Sequence, residues 1–320
     1  MNRINLERRI RAGLKGSFQS GDFSIGHGSL IKGNIQVGKN VKIGNGCYII
    51  SEKEKVVIGD KVNIHDGVII GEDVAIGNGC TLGSGTHIVK NTRIGDGNSF
   101  YNCSIGSEPQ GRFERQEKTF LFIGDYNEFR EYSVVNRGSI LDDRRTVIGN
   151  KNMILSQTHI GHDCKIGNDN VIISGSLLAG HVHIGNNARV SGLSGIAQFV
   201  HVGDYAFIGG QSGVRGNVLP YSRVDGRSAT LRGINVNRMK SMYYDKDDFD
   251  RIYGEIKEAY TLVKNKSLSD ERLARTLKNL GTEPAMKIAY FIENVSERNK
   301  KLLRSRTKAF EMEEGRHGLV

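Results

Sequence analysis

Hydrophobic residues recur every six positions over most of this 320-residue chain. The longest run places an aliphatic residue at every sixth position across residues 148–214, and earlier runs cover residues 25–49 and 58–100. An α-helix repeats after about 3.6 residues and a half-buried strand after two, so neither accounts for this period. A solenoid does, because each hexad can form one short strand and a turn with one side chain pointing inward.

The position four residues after an inward residue carries a small side chain throughout residues 62–92 and at most places of the later run, as at Val62 and Ser176. Small side chains suit a tight interior corner, and Cys47, Cys80 and Cys164 are therefore interpreted as corner fillers rather than nucleophiles or metal ligands. The 4 cysteines lie far apart in the sequence. This spacing predicts no disulfide framework and fits a reducing, cytoplasmic location.

The period is interrupted in the middle of the chain and stops after residue 214. It disappears over residues 107–122, which are predicted to form a loop ejected from the solenoid, where binding groups commonly lie. The resulting segments are a basic N-terminal arm (1–20), a solenoid with its ejected loop (21–222), a connector (223–244) and a C-terminal helical domain (245–320).

Helical spacing replaces the hexads in the last quarter of the chain. Ser267 or Ser269 can cap a helix that ends before Gly281, and a second helix is predicted to start at Thr282-Glu283-Pro284. Residues 297–308 are strongly basic and are predicted to form a solvated helix face.

The composition adds two constraints. The chain has 41 glycines, 3 prolines and a net charge of +10, which predicts many tight turns and an acidic partner. No window approaches the apolar length of a membrane-spanning helix, and the N-terminus lacks the apolar run of a secretory signal. The expectation is therefore a cytoplasmic protein without a membrane span.

Five segments, in matching order over roughly residues 20–310, carry a resemblance to a known family. They are Gly106-Ser-Glu-Pro-Gln110; Ile123-Gly-Asp with Arg130-Glu131 and Asn136-Arg137-Gly138; His159-Ile-Gly-His-Asp-Cys164; Leu178-Ala-Gly-His-Val182; and Gly233-Ile-Asn235. Together with the hexads, they resemble the hexapeptide-repeat transferases and, among these, the acyl-[acyl-carrier-protein]–UDP-N-acetylglucosamine O-acyltransferases of lipid A synthesis. The resemblance implies an all-β solenoid, a left-handed parallel β-helix with a C-terminal α-helical domain, and a homotrimer.

The same resemblance implies acyl transfer from acyl carrier protein to a hydroxyl, or an amine, of a UDP-amino sugar such as UDP-N-acetylglucosamine. It makes His162 the base, Asp163 its support and the Gly180 N–H the oxyanion donor. The residues implied to bind substrate are His159, His181, Gln198, Gln110, Arg112, Asn235, Arg238 and Lys240. No metal and no cofactor are implied, and the donor is the acylated phosphopantetheine of the carrier protein.

The repeat allows one independent check of this assignment. His162 and Gly180 are 18 residues apart, which is three hexads and so one full coil. We therefore expect Gly180 to lie beside His162 along the solenoid axis, about 4.8 Å away. Gln198 is a further 18 residues on and is expected to extend this row.

Several positions depart from the family pattern. Gly111 and Phe113 replace an Asp and a Lys in the ejected loop, and Ala197 replaces a His. Ser228 stands where the family often has His, and two arginines are missing after Lys240, where Ser241 and Met242 follow. These departures favour a hypothesis of retained chemistry with a different nucleotide-sugar acceptor or a coenzyme A donor.

Three other functions remain open from the sequence. A zinc enzyme of the carbonic anhydrase type uses the same solenoid with histidine ligands, and metal analysis would decide it. A non-catalytic β-helix scaffold is a second. Nucleic-acid binding, suggested only by the positive charge, is ranked last because no reader motif is present. His183 and His201 are interpreted as a surface ladder rather than a metal site.

Overall fold

A computed structural model describes residues 18–20, 23–111, 118–242, 245–263, 268–296 and 301–303. The chain divides into two compact units, unit 1 (Met1–Gly175) and unit 2 (Ser176–Val320). Within the described residues, no helix is both long enough and apolar enough to cross a lipid bilayer.

Unit 1 is built from short strands that pair in parallel. They are β1 (Phe18–Ser20), β2 (Phe23–Ile25), β3 (Leu30–Val37), β4 (Val41–Ile43), β5 (Tyr48–Ile58), β6 (Asn63–Ile64), β7 (Ile69–Ile70), β8 (Val74–Ile76), β9 (Thr81–Leu82), β10 (His87–Ile88), β11 (Thr92–Ile94), β12 (Ser99–Phe100), β13 (Ser104–Ser107), β14 (Phe120–Ile123), β15 (Glu128–Phe129), β16 (Val134–Asn136), β17 (Arg145–Ile148), β18 (Met153–Ile154), β19 (His159–Ile160), β20 (Lys165–Ile166) and β21 (Val171–Ile172).

Each strand of unit 1 pairs with the equivalent strand one coil away. Ile70 of β7 lies opposite Ile88 of β10, and Ile148 of β17 lies opposite Ile166 of β20. Within residues 58–100 and 148–172, the hydrophobic residue at every sixth position is buried, as the period predicts. The corner position is buried too, and Cys47, Cys80 and Cys164 are buried thiols outside any disulfide, as predicted for corner fillers. Burial raises the pKa of Cys80 to about 11, which suits an inert thiol.

A ladder of buried asparagines holds one corner of unit 1. The Asn127 side chain donates to Asn98 Oδ1 at 2.9 Å and to the Gly149 carbonyl at 2.9 Å. Its own Oδ1 accepts the N–H and the side-chain amide of Asn152, each at 2.9 Å, and Asn152 in turn accepts the Asn170 N–H at 3.0 Å. Each amide therefore links consecutive coils where the backbone turns away from its strand pairing.

Unit 2 continues with the same kind of strand and then with helices. Its strands are β22 (Leu177–Leu178), β23 (His183–Ile184), β24 (Arg189–Val190), β25 (Gly195–Ile196), β26 (His201–Val202), β27 (Phe207–Ile208), β28 (Gly213–Val214), β29 (Ser222–Asp225) and β30 (Thr230–Ile234). Its helices are α1 (Val236–Met242), α2 (Lys246–Val263), α3 (Asp270–Leu280) and α4 (Glu283–Ser296).

The helices pack on each other and on the strands of unit 2. Ser269 caps α3 by accepting the Arg272 N–H, and Gly281 ends it in the left-handed conformation with φ 70°, as predicted. Tyr260 of α2 is buried and donates its hydroxyl to the Pro220 carbonyl at 2.5 Å. The Lys287 ammonium of α4 lies 5.2 Å from the centre of the Tyr205 ring.

The fold class is confirmed: the chain is a parallel β-solenoid of the left-handed β-helix type with a C-terminal α-helical region. Two segment boundaries in the solenoid need correction. Residues 18–20, assigned to the basic arm, form β1 and pair with residues 35–37 of β3. Residues 120–122, assigned to the ejected loop, belong to β14, which pairs with β11 and β17. The other residues of the arm, 1–17, lie outside the described residues.

The connector and the basic C-terminal segment also differ from prediction. Residues 223–244 contain most of the antiparallel β29–β30 hairpin and all of α1, because Val224 and Leu231 pair across the hairpin and are buried. Residues 301–303 are not helical. Leu302 forms a parallel bridge with Asn217, whose N–H donates to the Lys301 carbonyl at 2.9 Å.

The asparagine ladder generates a stability prediction. Asn127→Ala is expected to lower the free energy of unfolding by roughly 2–4 kcal/mol, because it leaves buried partners in three coils without hydrogen bonds. Asn45→Ala is the matched control, since the Asn45 side chain also links coils at an exposed corner, where it donates to the Asp66 carboxylate and accepts the His27 N–H. Equal losses for the two variants in chemical denaturation would contradict the importance of burial.

Candidate active site

His162 and Asp163 occupy the tight turn between β19 and β20 in unit 1. Asp163 has φ 59°, a left-handed conformation that aspartate adopts more readily than most residues. This conformation brings the two neighbouring side chains together, and His162 Nδ1 lies 2.8 Å from Asp163 Oδ2. His162 is 5% exposed and Asp163 is 0% exposed, so the pair is shielded from bulk water.

Asp163 is held by residues of the preceding coil. Its Oδ1 accepts the Ser139 N–H at 2.8 Å, and its Oδ2 accepts the Ser139 hydroxyl at 2.5 Å. Its own N–H donates to Thr146 Oγ1 at 2.9 Å. Donors around a buried carboxylate favour its charged form. A charged Asp163 accepts the Nδ1 proton of His162, which assigns the basic lone pair of the imidazole to Nε2.

His159 lies on β19, three residues before His162, and is half-buried. Burial lowers its pKa below the ordinary value, and the neighbouring His162 lowers it further. His159 is therefore neutral at pH 7 and can donate or accept a hydrogen bond without carrying charge.

Arg137 and Asn136 bind the two ends of the ejected loop. The buried Arg137 donates to the Gly106 carbonyl at 3.2 Å, to Glu108 Oε1 at 3.2 Å and to Thr119 Oγ1 at 3.1 Å. Asn136 donates to the Glu108 carbonyl at 2.7 Å. One arginine thus joins both ends of the loop, and this explains the Asn136-Arg137 pair noted in the sequence.

Lys118, at the C-terminal end of the ejected loop, belongs to an ionic cluster. Lys118 Nζ lies 2.8 Å from Asp73 Oδ2 and 3.1 Å from Glu54 Oε1. Asp73, which is buried, also pairs with the Arg93 guanidinium. The carboxylates of Asp73 and then Glu54 raise the pKa of Lys118. The cluster therefore fixes the point where the loop rejoins the solenoid.

In unit 2, the turn after β22 carries Gly180 and His181, and the turn after β25 carries Gln198 and Phe199. These turns lie on neighbouring coils, and the Phe199 N–H donates to the Gly180 carbonyl at 3.3 Å. The rings of His181 and Phe199 stack with centroids 4.5 Å apart. Gln198 is exposed beside them. The predicted row of Gly180 and Gln198 is therefore present within this unit.

Asn235 and Arg238 lie together at the start of α1. Asn235 Oδ1 accepts the Arg238 N–H at 3.4 Å, and the Arg238 guanidinium donates to Asn187 Oδ1 at 2.7 Å. Lys240 is exposed, with its ammonium 6.0 Å from the centre of the Phe249 ring. The binding roles assigned to these residues stay predictions.

The remaining predicted residues belong to the ejected loop or to the pair His183 and His201. Gln110 is exposed at the beginning of the loop, while Arg112 and Phe113 lie outside the described residues. His183 and His201 lie on neighbouring coils with ring centroids 4.3 Å apart, as the predicted ladder requires.

The partners that orient the predicted residues were not among the candidates from the sequence. Ser139, Thr146, Asn187 and Phe199 each contact a predicted site residue, and none had been singled out. Ser139 directly follows the Asn136-Arg137-Gly138 segment, so its position carried a signal. The other three could be found only from the coil register.

Comparisons with known proteins address the ancestry of this arrangement. Residues 55–90 and 145–180 match the bacterial transferase hexapeptide (six repeats), and residues 217–301 match the family described as UDP N-acetylglucosamine O-acyltransferase, domain 2. A curated relative from Rickettsia canadensis, named acyl-[acyl-carrier-protein]–UDP-N-acetylglucosamine O-acyltransferase, is 42% identical over 84% of this chain and 94% of its own. The chain belongs to this O-acyltransferase family.

Other relatives of the O-acyltransferase family agree. The protein of the same name from Psychrobacter cryohalolentis is 46% identical over 68% of this chain and 83% of its own. The solved UDP-N-acetylglucosamine acyltransferase of Francisella novicida has a TM-score of 0.68 and 28% identity, covering 91% of this chain and 95% of its own. The Arabidopsis acyltransferase also has a TM-score of 0.68, with 27% identity over 90% of this chain and 98% of its own. The predicted family and enzyme class are confirmed.

The ionic cluster generates a prediction about the loop of this O-acyltransferase. Lys118→Ala is expected to increase native-state trypsin cleavage at Arg112 and Arg115 by about two- to fivefold, because the ion pairs of the exposed Lys118 hold the end of the loop by roughly 0.2–1 kcal/mol. Cleavage sites are read by mass spectrometry. Lys32→Ala, an exposed lysine of the same unit, is the control. Unchanged cleavage at both arginines would show that the cluster does not hold the loop.

Proposed function

We propose that this chain transfers an acyl chain from the phosphopantetheine thioester of acyl carrier protein to a hydroxyl of UDP-N-acetylglucosamine. The observation that carries the proposal is the buried His162–Asp163 pair, with its 2.8 Å hydrogen bond, in a member of this O-acyltransferase family. The named relatives supply the substrate class.

The first chemical step is proton transfer to His162. Asp163 holds the proton on Nδ1, so Nε2 takes the proton of the sugar hydroxyl as its oxygen attacks the thioester carbonyl. Asp163 stabilises the resulting imidazolium, because its carboxylate is fixed beside the ring. The tetrahedral intermediate then expels the carrier thiolate, which takes the proton from His162. An ester and a free carrier thiol result.

The tetrahedral oxyanion needs a positioned donor. We assign this role to the Gly180 backbone N–H, from the family resemblance and from its spacing of 18 residues, one coil, from His162. His159 and His181 are proposed to contact the substrate, together with Gln110, Arg112, Gln198, Asn235, Arg238 and Lys240. The homotrimer is part of the same proposal, and a solution mass three times that of the chain is expected.

His162→Ala tests the proposed base. Incubation with UDP-N-acetylglucosamine and a panel of acyl carrier protein donors is expected to yield the acylated sugar nucleotide with wild type. The variant is expected to be roughly 10²- to 10⁴-fold slower, because it lacks the general base. His27→Ala, an exposed histidine far from this turn in the sequence, should keep wild-type activity. A His162→Ala protein as active as wild type would refute the base.

A different acceptor or donor is the second candidate, favoured by Gly111, Phe113 and Ala197 at positions where the family pattern differs. If wild type transfers nothing to UDP-N-acetylglucosamine, a screen of other UDP-amino sugars and of coenzyme A thioesters follows. Metal analysis accompanies the assay, and stoichiometric zinc would redirect the proposal to hydration chemistry. Inactivity throughout the screen would favour the scaffold.

A further inference from the structure

A short insertion separates β16 from β17 and lies against the turn that carries the His–Asp pair. The insertion covers residues 137–144. At Gly138, near its start, a Cβ would collide with the backbone of Arg144 and Arg145. The chain can therefore fold back tightly there only because the residue is glycine. Near the other end, Asp143 binds Lys165 Nζ at 2.9 Å and Arg145 Nε at 3.0 Å. The insertion is thus fixed at both ends.

Ser139 projects from this fixed insertion onto Asp163. It is 0% exposed, and it supplies two donors to one carboxylate, the backbone N–H to Oδ1 and the hydroxyl to Oδ2. The Leu141 N–H donates to Ser139 Oγ at 3.2 Å. Because a hydroxyl has one proton, the bond from Leu141 occupies its acceptor side and directs that proton to Asp163.

The two donors determine which way the carboxylate faces. A carboxylate held by one hydrogen bond can rotate about its Cβ–Cγ bond, which is a broad and soft torsion. Ser139 holds both oxygens, and Oδ2 is the oxygen that also lies 2.8 Å from His162 Nδ1. The two hydrogen bonds from Ser139 therefore keep one carboxylate lone pair directed at the imidazole of His162.

We propose that Ser139 is a positioning residue, which orients Asp163 and through it the imidazole of His162. This inference rests on the proposed function for its kinetic readout, but the geometry it explains does not depend on the substrate. It assigns a catalytic purpose to the insertion, whose length interrupts the six-residue period.

Ser139→Ala removes the hydroxyl and keeps the backbone donor. With UDP-N-acetylglucosamine and the acyl carrier protein donor that wild type uses, kcat is expected to fall roughly 10- to 100-fold, the range for losing a hydrogen bond to a charged group. KM should stay within about twofold, because no substrate contact is removed. Ser139→Thr restores the hydroxyl and is expected to recover most of kcat.

Ser133→Ala is the matched control, since Ser133 is also 0% exposed in unit 1 and takes no part in the Asp163 hydrogen bonds. Its kcat should match wild type. A Ser139→Ala kcat within about twofold of wild type would overturn the proposal. So would a Ser139→Thr variant as slow as Ser139→Ala, or a loss confined to KM.

A double-mutant cycle separates positioning from general loss of structure. In an Asp163→Asn background, where the charge is already gone, Ser139→Ala should lower kcat by less than about threefold. A full, additive loss in that background would show that Ser139 acts independently of Asp163, and would contradict the proposal.

A crystal structure of Ser139→Ala provides a readout that needs no substrate. The Asp163 carboxylate is expected to rotate so that neither oxygen stays within hydrogen-bonding distance of His162 Nδ1. An unchanged His162–Asp163 geometry would overturn the positioning role. Wild-type inactivity toward every substrate would refute the proposed function instead, so the two failures are distinguishable.

Discussion

Hydrogen bonding from one coil to the next is the constraint on which the rest of this protein depends. In unit 1 each short strand pairs in register with its neighbours, and the asparagine ladder repeats the link at a corner. A slip of one residue would turn the inward side chains outward. The same register places the His162–Asp163 turn against Thr146 of the preceding coil, so this contact with the candidate site depends on the pairing that stabilises the fold.

The hexad period predicted the buried columns and the small corner residues because each follows from the strand-and-turn unit itself. It failed where a segment takes its conformation from a partner distant in sequence. Leu302 becomes a bridge only because Asn217 is there to receive it, and residues 120–122 become a strand only because β11 and β17 flank them. The local hydrophobic pattern contains no information about partners that are distant in sequence.

The candidate site divides in the same way. His162 and Asp163 are adjacent, so a motif sufficed to pair them. Ser139 is 24 residues from Asp163. One regular coil is 18 residues, so the repeat alone does not place these two residues side by side. Arg137 likewise joins two ends of a loop whose own sequence shows no regularity. The hexad repeat therefore predicts least where it is interrupted. The interrupting segments supply contacts that orient the candidate site.

The left-handed backbone at Asp163 has an evolutionary consequence. Its φ of 59° is a conformation that asparagine and glycine adopt at least as easily as aspartate, and neither brings a charge into a buried turn. Replacement by either residue relieves a local cost while removing the carboxylate that contacts His162. A gene copy under no selection for the proposed acyl transfer thus has a short route to a more stable, inert coil. Aspartate at this turn is therefore expected to be lost early once the proposed chemistry is no longer selected.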